Sequence, residues 1–256
     1  MDADPPEAQA LDTEDDDAGP DGGPSGLGGP HAFVADLDRP VLEDADHRHL
    51  QRVLRLRPGD PVTISDGAGR WRPARFTATG PVEPSGHIRS LPPVTPAVGV
   101  GFALVKGGRP EWVVQKLTEL GVDAVHPFVA DRSVVRWDTA KAATQRDRWA
   151  RVAREAAMQC RRCRLPEISP VTSFRDVAAR PGACLADRAS GTIAAGGLGP
   201  PSLHRPLILV GPEGGWSDAE RHAGLASVVL GPHVLRTETA AMVAGALLVA
   251  RRALRW

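Results

Sequence analysis

The chain has 256 residues, enough for one large or two modest domains with buried cores. Its 31 basic and 31 acidic residues cancel, but nine of the acids and no base stand in the first thirty residues, so the rest of the chain sets 31 bases against 22 acids. The longest apolar run, 240–250, is too short to span a bilayer, and three cysteines form no disulfide framework, which excludes a helical membrane protein and a disulfide-built module and points to a soluble, cytoplasmic one.

Residues 1–30 are acidic and rich in Gly and Pro, too poor in apolar surface to offset chain entropy, and they read as a disordered tail. They lack the basic start and apolar stretch of a signal peptide. In the body every base except Lys106, Lys116 and Lys141 is arginine. Arginine suits phosphate forks and base stacking, which favours a polyanionic partner such as RNA; an arginine-rich coding bias explains the same surface equally well.

After the tail, His47–Leu56 suggests a short arginine-bearing helix. Pro61–Ser65 and Arg70–Phe76 read as strands around the hairpin signal Asp66-Gly67, so residues 31–90 predict a small β-barrel. The Pro-rich stretch 91–96 reads as a linker. Beyond it, apolar strands at 97–105, 124–129, 183–186, 206–210 and 227–230 alternate with helices at 110–120, 138–164 and 238–254. Gly121 is placed to cap the first of these helices. Alternating strands and helices predict an α/β domain over 97–256 with a mainly parallel sheet.

Two turns stand out. Leu209-Val-Gly-Pro-Glu-Gly-Gly-Trp-Ser-Asp-Ala-Glu220 is a strand end, a glycine turn and an S-x-x-E capping box, the place where open α/β sheets bind ligands. It matches neither the P-loop nor the G-x-G-x-x-G pattern, and alone it is also explained as a turn that needs glycine. Leu230-Gly-Pro-His-Val-Leu-Arg-Thr-Glu-Thr-Ala240 repeats the arrangement, and two such turns at successive strand ends make two walls of one pocket. Cys160-Arg-Arg-Cys163 has C-x-x-C spacing but no second half, so no metal is expected.

These turns, together with Glu111–Phe128 and Gln159–Ile168, resemble the ribosomal RNA small subunit methyltransferase E family of the SPOUT superfamily; 31–90 resembles its PUA-like barrel. The resemblance implies a C-terminal trefoil knot binding S-adenosylmethionine, methylation of uridine N3 in 16S rRNA of the small ribosomal subunit, and a homodimer. It implies a cofactor pocket of three loops: Leu185 and Ala186; Val210, Gly211, Pro212, Gly214 and Gly215; and Leu230, Gly231, Val234, Leu235 and Thr237. His233 and Met158 depart from the family pattern, standing where an arginine and an acidic residue are expected.

N3 of uracil is an imide N–H that must lose its proton before it attacks a methyl group. A guanidinium nearby favours the anion. Arg162, on the helix face predicted for Glu155 and Gln159, is the first candidate, with Glu213 or Glu238 accepting the proton or orienting the donor. Arg52, Arg55, Arg70, Arg72 and Arg75 on the barrel, Lys106 and Arg109 beside Gly107-Gly108, and Arg164 are the expected RNA contacts. A catalytically silent RNA-binding protein and a methyltransferase acting on tRNA or 23S rRNA are the competing readings.

Overall fold

The stretches around Val100 and Ile208 are apolar at successive positions, as a strand covered on both faces requires. The computed structural model describes residues 22–187, 201–204 and 206–254, and it sets both stretches at the centre of a parallel sheet.

The first part of the chain forms its own sheet. β1 (His31–Phe33) runs parallel to β2 (Pro61–Ser65), while β3 (Arg70–Arg75) pairs antiparallel with β2, β4 (Glu83–Pro84) and β5 (Arg89–Ser90). α1 (Asp44–Arg48) continues into a π turn, His49–Val53, and seats Leu50 in a core with Ala32, Ile64, Ala74 and Phe76. Residues 1–21 of the expected tail lie outside the described residues. Residues 22–30 are not loose: Pro24 is buried, Thr63 donates its N–H to the Pro30 carbonyl at 2.9 Å, and Arg161 donates to the Leu27 carbonyl. The body therefore begins earlier than composition suggested.

The second part contains β6 (Gly99–Ala103), α2 (Arg109–Leu120), β7 (Ala124–Val129), α3 (Thr139–Gln159), β8 (Glu167–Ile168), β9 (Thr172–Ser173) and α4 (Phe174–Ala178). β10 (Ala183–Ala186), β11 (Leu207–Val210), α5 (Asp218–Arg221), β12 (Ala226–Val228) and α6 (Thr237–Leu254) follow. The strands are all parallel, in the order β12-β10-β11-β6-β7-β8, with β9 also on β7. The two-residue period of β11 divides the core: Ile208 and Val210 join Val100, Phe102 and Trp149, while Leu207 and Leu209 join Leu185, Phe128 and Trp216. α2 and α6 approach closely at Gly245, where a Cβ would lie 2.8 Å from Leu117 Cδ2. Gly121 closes α2 in the left-handed conformation, φ 90°, as its position in the sequence predicted.

α3 ends at Gln159, five residues short of the expected end, because Cys160 leaves helical geometry and Arg161 has φ 58°. The segment beyond it is the joint between the two parts. Gly69 donates to the Cys163 carbonyl at 3.2 Å, and Leu165 donates to the Gly67 carbonyl at 2.9 Å. Arg154 of α3 completes the joint: it pairs with Asp46 at 2.6 Å and Glu43 at 3.4 Å, and its guanidinium lies over the Phe33 ring. Asp46 is only 12% exposed, so Arg154→Ala strands a mostly desolvated carboxylate. The variant is expected to lose about 3 kcal/mol of stability in urea unfolding, the size found for breaking a buried pair.

Two histidines are buried without charge. His31 is hydrogen-bonded to Thr63 Oγ1 at 2.8 Å and Ser65 Oγ at 2.9 Å, and burial, helped by Arg161, lowers its pKa to about 3. His126 bonds Ser169 Oγ at 2.7 Å, and burial, then Arg180, lowers its pKa to about 4 against the opposing pull of Glu167. Both folded values lie below the unfolded one of about 6.5, so this stability is complete above that pH and is lost as pH falls. Unfolding free energy should fall between about pH 6.5 and 4 by up to about 1.4 kcal/mol per unit for each histidine. The slope in His126→Gln, followed by urea titration, should be shallower.

Candidate active site

Four parallel strands end level. Ala186 of β10 stands opposite Val210 of β11 and Val228 of β12, and Val210 stands opposite Phe102 of β6. Their carboxyl ends deliver four loops to one edge of the sheet, the edge where such sheets bind ligands.

The cleft between the loops after β10, β11 and β12 encloses about 290 Å3, just below the range of about 300–1000 Å3 for small-molecule sites. Its walls include Ala186, Val210, Gly211, Pro212, Gly215, Leu230, Gly231, Val234, Leu235 and Thr237, ten of the residues expected from the sequence. Glu213 also lines it. Two expected residues do not. Leu185 alternates into the core beneath the sheet, and Gly214 turns toward Arg132, whose Nη1 donates to its carbonyl at 3.2 Å. Asp187, Trp216, Arg221, Val228 and Ala240 line the cleft without having been singled out, and so does His233, noted in the sequence only as a departure from the family pattern. Trp216, next to the third glycine of the turn, was a legible signal among them.

Trp216 holds the walls together. Its ring stacks parallel on Phe128 and its Nε1 donates to the Ala186 carbonyl at 3.0 Å, tying the β11 turn to the end of β10. Glycine is needed at 211, where a Cβ would come within 2.9 Å of that ring. Thr237 Oγ1 donates to the Gly211 carbonyl at 2.9 Å and ties the third loop to the second. The capping box read from the sequence is present: Ser217 Oγ accepts from the Glu220 N–H at 3.1 Å and Glu220 accepts from the Ser217 N–H at 2.8 Å. Glu220 also accepts from the Asp131 N–H at 2.9 Å, which fastens α5 to the loop after β7. Arg221 pairs with Asp187 at 3.0 Å across the mouth.

The charged candidates divide. Arg109, expected on RNA, begins α2 at the same edge and pairs with Glu213, with its Nε 3.8 Å from Glu238 Oε1. Arg162 is not brought to the cleft. It lies past the end of α3, so the helix face predicted for it with Glu155 and Gln159 does not exist. It donates to the carbonyls of Thr118 at 3.2 Å and Val122 at 2.7 Å and pairs with Asp123 at 3.4 Å, beside the amino end of β7 and thus at the opposite edge of the sheet. Burial lowers its pKa from the ordinary arginine value, against the pull of Asp123.

Arg72 donates to the Gly86 carbonyl through Nε at 2.9 Å and to the Leu37 carbonyl at 3.1 Å, and Arg164 donates to the Leu91 carbonyl at 2.8 Å. Both hold backbone together. Arg52, Arg55, Arg70 and Lys106 are exposed, as is Arg75, which donates to the Gly59 carbonyl. Lys116 forms the plain i, i+3 pair with Glu119 at 2.8 Å. No disulfide joins cysteines among the described residues, burial raises the Cys160 thiol pKa, and the described residues hold no cluster able to bind a metal. No helix among them is long and apolar enough to cross a membrane.

Trp216→Phe keeps the stack on Phe128 and removes the donor to Ala186. Leaving that carbonyl unpaired is expected to cost about 1–3 kcal/mol, read as a lower urea midpoint.

The model of an RNA methyltransferase domain matches residues 93–249, and that of an RNA methyltransferase PUA domain matches 42–81. Ribosomal RNA small subunit methyltransferase E of Mycobacterium bovis is 35% identical over 222 residues, 80% of this chain and 83% of that protein. The protein of that name from Bacillus subtilis is 33% identical, covering 83% and 93%. A crystal structure of the Neisseria gonorrhoeae protein of that name, bound to S-adenosyl methionine, superposes with a TM-score of 0.71 at 28% identity, over 88% of this chain and 97% of that one. The chain belongs to the ribosomal RNA small subunit methyltransferase E family.

Proposed function

We infer that the protein transfers a methyl group from S-adenosylmethionine to ribosomal RNA of the small subunit, and that the acceptor is N3 of a uridine in 16S rRNA. The observation that carries the reading is the glycine-walled cleft at the level ends of β10, β11 and β12 in a chain of this family.

The cleft suits a nucleoside. Gly211, Gly215 and Gly231 bring bare backbone to its walls, and Val210, Leu230, Leu235 and Ala240 offer an apolar bed for a planar base. Asp187, nearly buried and paired with Arg221, offers a carboxylate for hydroxyl or ammonium groups. Bound there, S-adenosylmethionine supplies an electrophilic methyl group. The chain's own work is to position the two reactants, exclude water and take the N3 proton. Glu213 and Glu238, gathered by Arg109, are the carboxylates at hand, and Arg162 is left out of the catalytic set.

A knotted path for the C-terminal segment is part of the reading. β12 lies outside β10, yet α6 returns across the sheet to pack on β6 and α2. Arg52, Arg55, Arg70 and Lys106, exposed, are proposed to meet RNA phosphates. Action as a homodimer rests on the family resemblance, and a cytoplasmic location on the composition.

The test is methyl transfer from labelled S-adenosylmethionine to unmethylated small subunits, with large subunits and tRNA in parallel and the modified nucleotide mapped. Label at uridine N3 in 16S rRNA is the expected result. Label at another base or in another RNA, or no label, overturns the reading.

A further inference from the structure

Arg109 stands between two carboxylates that come from separate loops. Glu213 leaves the end of β11 and Glu238 opens α6, and the guanidinium reaches both from the first turn of α2. The two contacts differ in kind. The Arg109–Glu213 pair is 42% and 54% exposed, where ion pairs contribute little to stability. Glu238 is only 8% exposed; its Oε1 lies 3.8 Å from Arg109 Nε, and its Oε2 is buried with no hydrogen-bond partner among the described residues.

A desolvated carboxylate oxygen is costly to leave unmatched, and buried polar atoms without partners are few in folded proteins. Glu238 follows Thr237, which lines the cleft and is bonded to the Gly211 carbonyl. The unpaired acceptor therefore belongs to the residue next to one that lines the cleft, with the Arg109 cation 3.8 Å from the other oxygen of the same group. A ligand that brings an N–H donor to this point satisfies Oε2.

We propose that Glu238 Oε2 accepts the N3 proton of the acceptor uracil and that Arg109 is the positioning residue that holds the Glu238 carboxylate for it; this rests on uridine N3 being the acceptor. In the step the N3–H bond breaks and its proton passes to Glu238 Oε2. The N3 electron pair forms the bond to the methyl carbon, and the pair of the breaking carbon–sulfur bond returns to sulfur, leaving a neutral thioether. Arg109 takes no proton; it keeps one carboxylate oxygen engaged so that the other is presented.

The test is a cycle of the full-length protein, wild type, Glu238→Gln, Arg109→Ala, Arg109→Lys and the Arg109→Ala/Glu238→Gln double variant, on small subunits with the product nucleotide mapped. Donor affinity is measured by calorimetry as a check on folding. Glu238→Gln is expected to lower kcat at least 100-fold with donor Kd within about threefold of wild type. Arg109→Ala should lower kcat at least 30-fold with little change in KM for the subunit, and Arg109→Lys should recover part of the loss. In the Glu238→Gln background Arg109→Ala should cost less than threefold more, because it acts through that carboxylate. Equal losses from Arg109→Ala in both backgrounds, or a loss in KM alone, overturn the positioning role and make Arg109 an RNA contact. Full activity in Glu238→Gln overturns the proton assignment. If the wild type itself puts no methyl on uridine N3, the reading beneath the proposal has failed, an outcome separate from these.

Discussion

The register of β12, β10, β11 and β6 is the constraint on which the site depends. Backbone hydrogen bonds between parallel strands place Val228, Ala186, Val210 and Phe102 side by side. Parallel strands point the same way, so their outgoing loops crowd one edge whatever the loops contain. The cleft is a result of this crowding, and side chains then refine it. Trp216 ties the β11 turn to the end of β10, Thr237 ties the α6 entrance to the turn, and Glu220 ties α5 to the loop after β7. Each tie is one hydrogen bond worth about 1 kcal/mol, yet together they fix where every wall stands.

The arginines do two kinds of work, and burial separates them. Within the run 161–164, Arg161, Cys163 and Arg164 bind the joint between the two sheets, while Arg162 braces the end of α2 against the start of β7. Arg161 reaches the Leu27 carbonyl, Arg162 those of Thr118 and Val122, and Arg164 that of Leu91. A guanidinium carries several donors in a rigid fork and stays charged, so it satisfies carbonyls where chain segments meet at loops that have no ladder of their own. The C-x-x-C spacing is incidental to this: Cys163 is buried and Cys160 only terminates a helix. Arg109 belongs to the other kind. It is partly exposed, it joins loops rather than backbone, and it sits where the open edge of the sheet gathers negative charge.

The joint also gives the first sheet a purpose. α3 packs its Trp149 stripe on the α/β core and sends Arg154 and Met158 the other way, toward the first sheet. One helix thus serves two cores. The first sheet, whose β3 carries the exposed Arg70 and Arg75, is held against the α/β part through this helix and the segment after it.

Periodicity in the sequence determined most of the fold. The strands at 124–129 and 183–186, the helix at 110–120 with its Gly121 cap, and the Ser217–Glu220 box were legible because each is written in neighbouring residues: side-chain period, a left-handed turn, a cap. The glycine turns were legible for the same reason. Tertiary structure decided what depended on distant partners. Gly214 looked like a cleft glycine but faces Arg132; Leu185 looked like a wall but alternates into the core; Arg162 looked like a catalytic group on a helix face but is spent on Val122 and Asp123. Arg109 looked like an RNA contact, and only the sheet order, which sets β6 beside β11, brought it to Glu213 and Glu238. Spacing along a chain fixes which way a side chain points from its own element; which groups it meets there is settled by the pairing of strands far apart in sequence.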